Sequence, residues 1–133
     1  MNVLNIEGIG PKYAKKLIDK GVKTTNALLK QGATKKGRKD IAEKTGISEK
    51  LILEWVNLAD LFRIKGVAEE YSDLLEEAGV DTVKELRNRK PENLHAKIIE
   101  TNEAKKLVRR VPSLKEVKNW VAQAKELPPV VTY

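Results

Sequence analysis

The sequence predicts an all-α protein of two tandem units with about four helices each. Three observations carry this prediction: apolar residues recur at helical spacing, capping residues precede the apolar segments, and the second half of the chain repeats the first. No segment alternates convincingly between apolar and polar residues with a period of two, so we expect no sheet. The first unit covers residues 1–62 and the second covers residues 63–127, with an extended tail over residues 128–133.

An internal repeat appears when the sequence is compared with itself at an offset of 58 residues. Eight of the 23 positions from residue 6 to residue 28 are then identical. They fall on glycines and apolar residues, where backbone geometry and packing restrict the side chain. After a further shift of seven residues, Trp55-Val56 matches Trp120-Val121, and we interpret the pattern as a duplication. The identical pairs are Ile6/Ile64, Gly8/Gly66, Tyr13/Tyr71, Leu17/Leu75, Gly21/Gly79, Val22/Val80, Thr24/Thr82 and Leu28/Leu86.

The helices of the first unit are predicted from their end signals. Pro11 suits the first turn of a helix, and Gly21 suits the left-handed stop after it. Ser48 is a capping residue, and apolar residues follow it at the three- and four-residue spacing of one buried face. The first three predicted helices span residues 11–20, 24–30 and 35–44, and the fourth follows Ser48.

The second unit carries similar signals. Thr82 to Glu85 and Ser113 to Glu116 have the spacing of a capping box. Pro128-Pro129 prevents the last helix from continuing beyond about Leu127. The predicted helices span residues 69–78, 82–89 and 91–100, and the last one runs from the Ser113 box to about residue 127.

The composition restricts the possible functions. The chain has no Cys and one His, which excludes disulfides, thiolate metal sites and cysteine catalysis and argues against a histidine zinc site or a Ser-His triad. Carboxylates are plentiful, but none stands in a recognisable acid/base or metal-binding pattern. No apolar segment approaches the length of a membrane span, and the first residues lack the layout of a signal peptide. We therefore expect a soluble, cytoplasmic protein that is not an enzyme, needs no metal or cofactor, and has no membrane partner.

Positive charge is concentrated in the first half. The chain carries 26 Lys and Arg against 19 Asp and Glu, for a net charge of +7. Residues 1–63 have 13 basic and 7 acidic side chains, whereas residues 64–133 have 13 and 12. Such an excess suits attraction to nucleic acid, and it is also compatible with a merely soluble or heat-tolerant surface.

The segment from Ile6 to Leu17 has the most informative pattern. Gly8 and Gly10 flank Ile9, and a helix starts directly after them at Pro11. Glycines allow a tight turn and leave backbone N–H groups uncovered, and the start of a helix adds unpaired N–H groups with a positive dipole end. That arrangement is an anion site that suits a nucleic-acid phosphate. The lysines expected to flank it are Lys12, Lys15 and Lys16.

This segment resembles the helix-hairpin-helix family of DNA-binding modules, which bind without sequence specificity. The continuation through Gly21-Val22 and Thr24, and later Thr45-Gly46-Ile47-Ser48-Glu49, resembles the paired form of the motif found in archaeal recombinases and repair proteins. The second half, in segments such as Arg63–Val67, Gly79–Leu86 and Arg109–Ser113, resembles an uncharacterised prokaryotic family built on tandem helix-hairpin-helix units. The resemblance extends to about Leu127, and it implies the fold more than the activity.

The second copy of the hairpin departs from the binding pattern. Gly10 is replaced by Ala68, Lys12 by Glu70 and Lys15 by Asp73, and further carboxylates follow. Negative side chains suit the first turn of a helix but repel phosphate. We therefore expect the second hairpin to be structural or to contact protein, whereas the first either binds phosphate or only packs the fold.

Two further basic clusters are candidates. Lys35, Lys36, Arg38 and Lys39 either extend the phosphate-binding face or form an ordinary solvated helix surface. Arg109 and Arg110 either meet phosphate or pair with the acidic helix of their own unit, and we favour internal pairing. Trp55 and Trp120 stand at equivalent repeat positions among apolar residues, so core packing is expected for both.

These observations predict a protein that binds nucleic acid, DNA more than RNA, through backbone phosphates and without sequence preference. The predicted contact residues are Gly8, Ile9, Gly10, Lys12, Lys15, Lys16, Lys35, Lys36, Arg38 and Lys39. The alternative is a protein-interaction module or small scaffold, which the acidic second hairpin and the apolar Val130-Val131 favour. Salt separates the two, because phosphate binding weakens steeply with salt and an apolar interface does not.

Overall fold

A computed structural model confirms the all-α prediction. It describes residues 1–6, 8–67 and 69–133, without the side chains of Glu69 and Glu70, so Glu7 and Ala68 of the two hairpin motifs lie outside the described residues. Apart from one isolated bridge between Asn2 and Thr24, the described residues contain no β-structure. After a short 3-10 helix at Val3–Asn5, the helices are α1 (Pro11–Asp19), α2 (Thr25–Gln31), α3 (Lys35–Thr45), α4 (Glu49–Leu61), α5 (Glu69–Glu77), α6 (Val83–Arg87), α7 (Pro91–Lys105) and α8 (Leu114–Glu126).

Side-chain caps explain where several helices begin. The hydroxyl of Thr24 accepts a hydrogen bond from the Ala27 amide at 3.0 Å, and the hydroxyl of Thr34 accepts one from the Gly37 amide at 3.1 Å. Each bond satisfies an amide that has no partner within its own helix. Thr82 caps α6 in the same way, through the Glu85 amide. The sequence rule for helix starts therefore works at these positions, because the interaction is local.

Residues 1–60 and 130–133 form the first compact unit. Its buried apolar residues come from the N-terminal segment and α1 to α4, together with Val131 near the end of the chain. Residues 128–133, predicted as an extended tail, have no helix or strand, and their last four residues complete this unit. The largest fully buried side chains here are Ile6, Leu17, Leu28, Ile52, Trp55 and Leu58.

Residues 61–129 form the second compact unit. Its core is one cluster of buried side chains to which α5, α6, α7 and α8 all contribute, and Trp120 from α8 is among the largest members. Helix α7 runs to Lys105, past the predicted end at residue 100, because no glycine or proline interrupts it. It ends at Lys106, which adopts a left-handed conformation with φ of 51° and donates its amide to the Asn102 carbonyl at 2.7 Å.

The same contact recurs at the start of each unit. Gly8 has φ of +92°, and a Cβ placed on it would lie 3.5 Å from the indole nitrogen of Trp55. Gly66 has φ of +96°, and its Cβ would lie 3.0 Å from the indole nitrogen of Trp120. A tyrosine ring tilts against each indole, with ring centroids 5.2 Å apart for Tyr13 and Trp55. In each unit, a tight turn is therefore seated on a buried indole.

The start of α8 is stabilised by a charged capping box. Ser113 accepts from the Glu116 amide at 3.1 Å, and the Glu116 carboxylate accepts from the Ser113 amide at 3.1 Å. Arg110 donates to both oxygens of that carboxylate, at 2.8 and 3.0 Å. The Arg110 guanidinium, followed by the Ser113 amide, lowers the pKa of Glu116 from its ordinary 4.5 to about 2.

In the described part of the chain, no helix combines the length and apolar character that crossing a lipid bilayer requires.

We predict that Gly66→Ala destabilises the second unit by about 1–3 kcal/mol, because alanine is strained at the positive φ of this position and its Cβ presses on the Trp120 indole. The matched control is Gly10→Ala, since Gly10 has φ of −82° and no atom within 4 Å of the added Cβ. We expect the control to change stability by less than about 1 kcal/mol, because the reduced freedom of the unfolded chain and the poorer capping by alanine act in opposite directions. Urea unfolding followed by circular dichroism measures both, and equal losses would contradict the indole constraint.

We predict that Glu116→Gln lowers stability at neutral pH and that the loss fades in acid. A carboxylate whose folded pKa is depressed contributes stability above its unfolded pKa, and this contribution disappears as pH falls from 4.5 to about 2. Urea midpoints of wild type and variant should therefore converge across that interval. Glu126→Gln at an exposed position of α8 is the control. A gap of constant size at every pH would show that the Arg110 pair contributes nothing.

Candidate nucleic-acid interface

The first hairpin presents a tight backbone turn at the surface. Gly8 and Gly10 are exposed, whereas Ile9 between them is 4% exposed and anchors the turn. The Ile9 amide donates to the Ile6 carbonyl at 3.1 Å, which closes the turn. Gly10 then adopts an extended conformation, with φ of −82° and ψ of 176°, and serves as the N-cap of α1. The turn therefore leads directly into the first amides of a helix.

The N-terminus of α1 lacks the usual side-chain cap. Gly10 has no side chain to offer, and Pro11 at the first helical position has no N–H group. The amides of Lys12 and Tyr13 follow in the first turn, where a helix provides no internal acceptor. Backbone donors and the positive end of the helix dipole thus lie in the same place, as an anion requires.

Three lysines surround this helix start. Lys12, Lys15 and Lys16 are exposed, while Ala14 and Leu17 on the other face of α1 are buried. Among the residues that the structure describes, no carboxylate lies within ion-pair distance of these three ammonium groups. Their charge is therefore available to an external anion.

The basic segment of α3 divides into two kinds of residue. Lys35, Lys36 and Lys39 are exposed, and Arg38 is only 5% exposed. The Arg38 guanidinium donates to the backbone carbonyls of Gly32 at 2.9 Å, Ala33 at 3.1 Å and Thr132 at 2.7 Å. The structure thus places Arg38 within the first unit, where it holds the α2–α3 turn and the end of the chain together.

The last residues of the chain pack around Arg38. The Thr132 amide donates to the Ala33 carbonyl at 2.8 Å, and the Arg38 guanidinium lies 5.9 Å from the centre of the Tyr133 ring. Burial lowers the pKa of Arg38, and negative charge at Tyr133 and Glu49 acts in the opposite direction. Nothing in the local sequence pattern marks Arg38 for this role, because its partner Thr132 is 94 residues away.

The second hairpin repeats the turn with different charges. The Val67 amide donates to the Ile64 carbonyl at 3.1 Å, as Ile9 does to Ile6. On α5, the Glu77 carboxylate pairs with Lys105 of α7. Arg110, expected to pair with the acidic helix of its own unit, forms an ion pair with Glu116 of α8. Among the described residues, Lys105 and Arg110 of the second unit thus each have an acidic partner, unlike the three lysines of α1.

A cavity of about 310 Å³ lies in the first unit, lined by Lys35, Arg38, Glu49, Lys50, Leu53 and Tyr133. Two of these residues, Lys35 and Arg38, belong to the basic segment predicted to contact nucleic acid. Lys50 lies in the first turn of α4, a position that the predicted cap at Ser48 indicates. Nothing in the sequence pattern predicts that Tyr133 lines this cavity. Among the described residues, no group of three or more His, Asp or Glu side chains could hold a metal ion.

Comparison with protein families gives one finding. The model of the family described as Domain of unknown function (DUF4332) matches residues 7–127, which includes both hairpins. Comparison with curated proteins and comparison with solved structures each gave no match.

We predict that Arg38→Ala lowers the free energy of unfolding by about 2–4 kcal/mol, because one buried and two partly buried carbonyls lose a charged donor. Lys39→Ala, at the exposed neighbouring position, should change it by less than about 0.5 kcal/mol. Thermal and urea unfolding followed by circular dichroism measure the difference. An Arg38 variant of wild-type stability would show that the guanidinium does not hold the end of the chain.

Proposed function

We propose that this chain, which belongs to the DUF4332 family, binds DNA through backbone phosphates at its first hairpin, without preference for base sequence. The observation that carries the proposal is the coincidence of an uncapped helix N-terminus with three exposed lysines that have no described carboxylate partner. Few chemical groups suit such a site better than a phosphate, which accepts several hydrogen bonds and carries negative charge.

The backbone and the side chains would share the contact. A phosphate oxygen at the turn accepts from the amides at the start of α1, and no Cβ at Gly8 or Gly10 blocks its approach. Lys12, Lys15 and Lys16 then neutralise this phosphate and its neighbours along the strand, and counterions are released. None of these groups distinguishes one base from another, so the binding is indifferent to sequence.

The resemblance to helix-hairpin-helix modules supports the same interpretation. The Gly8-Ile9-Gly10 segment has the glycine pattern of those modules, and in this chain its turn is followed at once by a helix. The parallel contacts of the two units, with a positive-φ glycine against an indole in each, favour an origin by duplication. Only the first copy kept the lysines, so we assign the binding to that copy.

The exposed lysines of α3 are the second part of the proposed contact surface. Lys35, Lys36 and Lys39 can follow a strand that the hairpin has anchored. Arg38 is left out of the contact surface, because its guanidinium already serves three carbonyls.

A protein-interaction module is the second candidate function. The observation in its favour is the acidic character of α5, where the second hairpin retains its turn geometry and has lost the lysines. Such a surface would bind a basic or neutral protein partner. A chain with only this function would not bind DNA at any salt concentration, and this distinguishes the second candidate function from the first.

We predict that wild-type protein binds a labelled duplex with an affinity that falls steeply with salt. If three to five phosphates are neutralised, log K should fall with log salt at a slope of about −3 to −5. Fluorescence anisotropy measures the slope, and no binding even at low salt would overturn the proposed function.

We predict further that the variant Lys12→Glu, Lys15→Glu, Lys16→Glu loses binding and retains its helical circular dichroism. The matched control is Lys84→Glu, Lys90→Glu, Lys115→Glu, which changes the net charge equally at exposed positions of the second unit. The control should retain most of the affinity. Equal losses in the two variants would show that overall charge, and not the first hairpin, attracts the DNA.

A further inference from the structure

The cavity of the first unit has no role in the proposed phosphate binding at the hairpin, because none of its lining residues belongs to the hairpin. Lys35 and Arg38 reach it from α3, Glu49, Lys50 and Leu53 reach it from α4, and Tyr133 completes it. Its volume is about 310 Å³, and it is widely open to solvent. All six residues belong to the same compact unit, so the cavity exists within one folded body.

The surface of the cavity is mostly apolar, and charged side chains are among the residues that form it. Leu53 is half-buried, whereas Lys35 and Lys50 are exposed. Among the described residues, neither lysine has an ion-pair partner, and Glu49 adds one carboxylate to the same lining. The cavity therefore suits a ligand with an apolar body, a negatively charged group for the lysines and a hydrogen-bond donor for Glu49.

Tyr133 supplies a flat surface that is held in position. Its hydroxyl donates to the Asn57 side-chain oxygen at 3.2 Å, and the Arg38 guanidinium stands 5.9 Å from the ring centre. Arg38 itself is fixed by three carbonyls. Even so, Tyr133 is 69% exposed, so a large part of it is open to a ligand. An orientated and exposed aromatic ring is a platform on which a base stacks.

We propose that this cavity binds an unpaired nucleobase with an exocyclic amino group, together with its 5′-phosphate. The inference deepens the proposed function, on which it rests. It adds a site for single-stranded nucleic acid to the site that binds the DNA backbone. The base stacks on Tyr133 and contacts Leu53, and the phosphate meets Lys35 or Lys50. Glu49 accepts a hydrogen bond from the amino group, as carboxylates do from cytosine.

This occupant fits the lining better than other anionic ligands do. A fatty acid has no hydrogen-bond donor for Glu49 and no ring for the flat face of Tyr133. The acidic side chains of a peptide likewise offer neither a donor nor a flat ring. A paired base cannot enter, because its amino group and faces are engaged in the duplex, so the cavity selects single strands.

The first test compares ligands on the whole chain by amide NMR titration. Cytidine 5′-monophosphate, uridine 5′-monophosphate and cytidine differ by one amino group or one phosphate. We expect cytidine monophosphate to shift the amides of Lys35, Glu49, Lys50 and Leu53 and to bind about tenfold more tightly than each of the other two. Equal affinities for the two nucleotides, equal shifts with inorganic phosphate alone, or shifts elsewhere would overturn the proposal.

The second test uses variants with distinct expected results. Glu49→Gln should remove the preference for cytidine monophosphate over uridine monophosphate, because an amide both accepts and donates. Lys35→Gln, Lys50→Gln should remove the preference for the nucleotide over cytidine. Lys23→Gln, Lys30→Gln, at exposed positions outside the cavity, is the control and should change neither ratio. Preferences that persist in the cavity variants would contradict the assigned roles.

The hairpin variant separates this inference from the proposed function. Lys12→Glu, Lys15→Glu, Lys16→Glu should lose duplex binding and retain the affinity for cytidine monophosphate. If duplex binding fails in wild type while the nucleotide still binds in the cavity, the proposed hairpin function fails and the cavity site stands. If the hairpin variant also loses the nucleotide, the ligand binds at the hairpin and the cavity site is overturned.

Discussion

The contact between a glycine turn and a buried indole is the constraint on which each hairpin depends. Trp55 is 1% exposed and Trp120 is 2% exposed, and each lies under a glycine with positive φ. At Gly66 the indole also leaves little room for a Cβ, which would lie 3.0 Å from its ring nitrogen, whereas at Gly8 the positive φ alone disfavours a side chain. The tilted tyrosines, with ring centroids 5.2 and 5.4 Å from the indoles, hold the following helix at the same place. The aromatic pair thus fixes where the turn lies and where the helix starts.

This constraint explains how two similar turns can differ in chemistry. The turn geometry depends on buried groups, so the exposed residues of the next helix are free to vary without cost to the fold. In the first unit these residues are Lys12, Lys15 and Lys16, and in the second the helix carries acidic groups such as Glu77. The proposed DNA binding therefore rests on surface charge added to a common scaffold.

The helices and their starts could be predicted because they depend on local interactions. Thr24, Thr82 and Ser113 cap amides three residues away, within the reach of a sequence pattern. The role of Arg38 could not be predicted, since a basic residue in a basic segment gives no sign that its partner is Thr132. The cavity could not be predicted for the same reason, because Tyr133 is far in sequence from the other residues that line it.

Amide NMR mapping of the whole chain with a short duplex would locate the phosphate site. If the first hairpin binds phosphate, the largest shifts fall on the amides of Gly8, Ile9, Gly10, Lys12 and Tyr13, where the turn enters α1. Smaller shifts should follow on the exposed lysines of α3. Shifts confined to residues 61–129, or spread evenly over all exposed lysines, would contradict a phosphate site at the first hairpin.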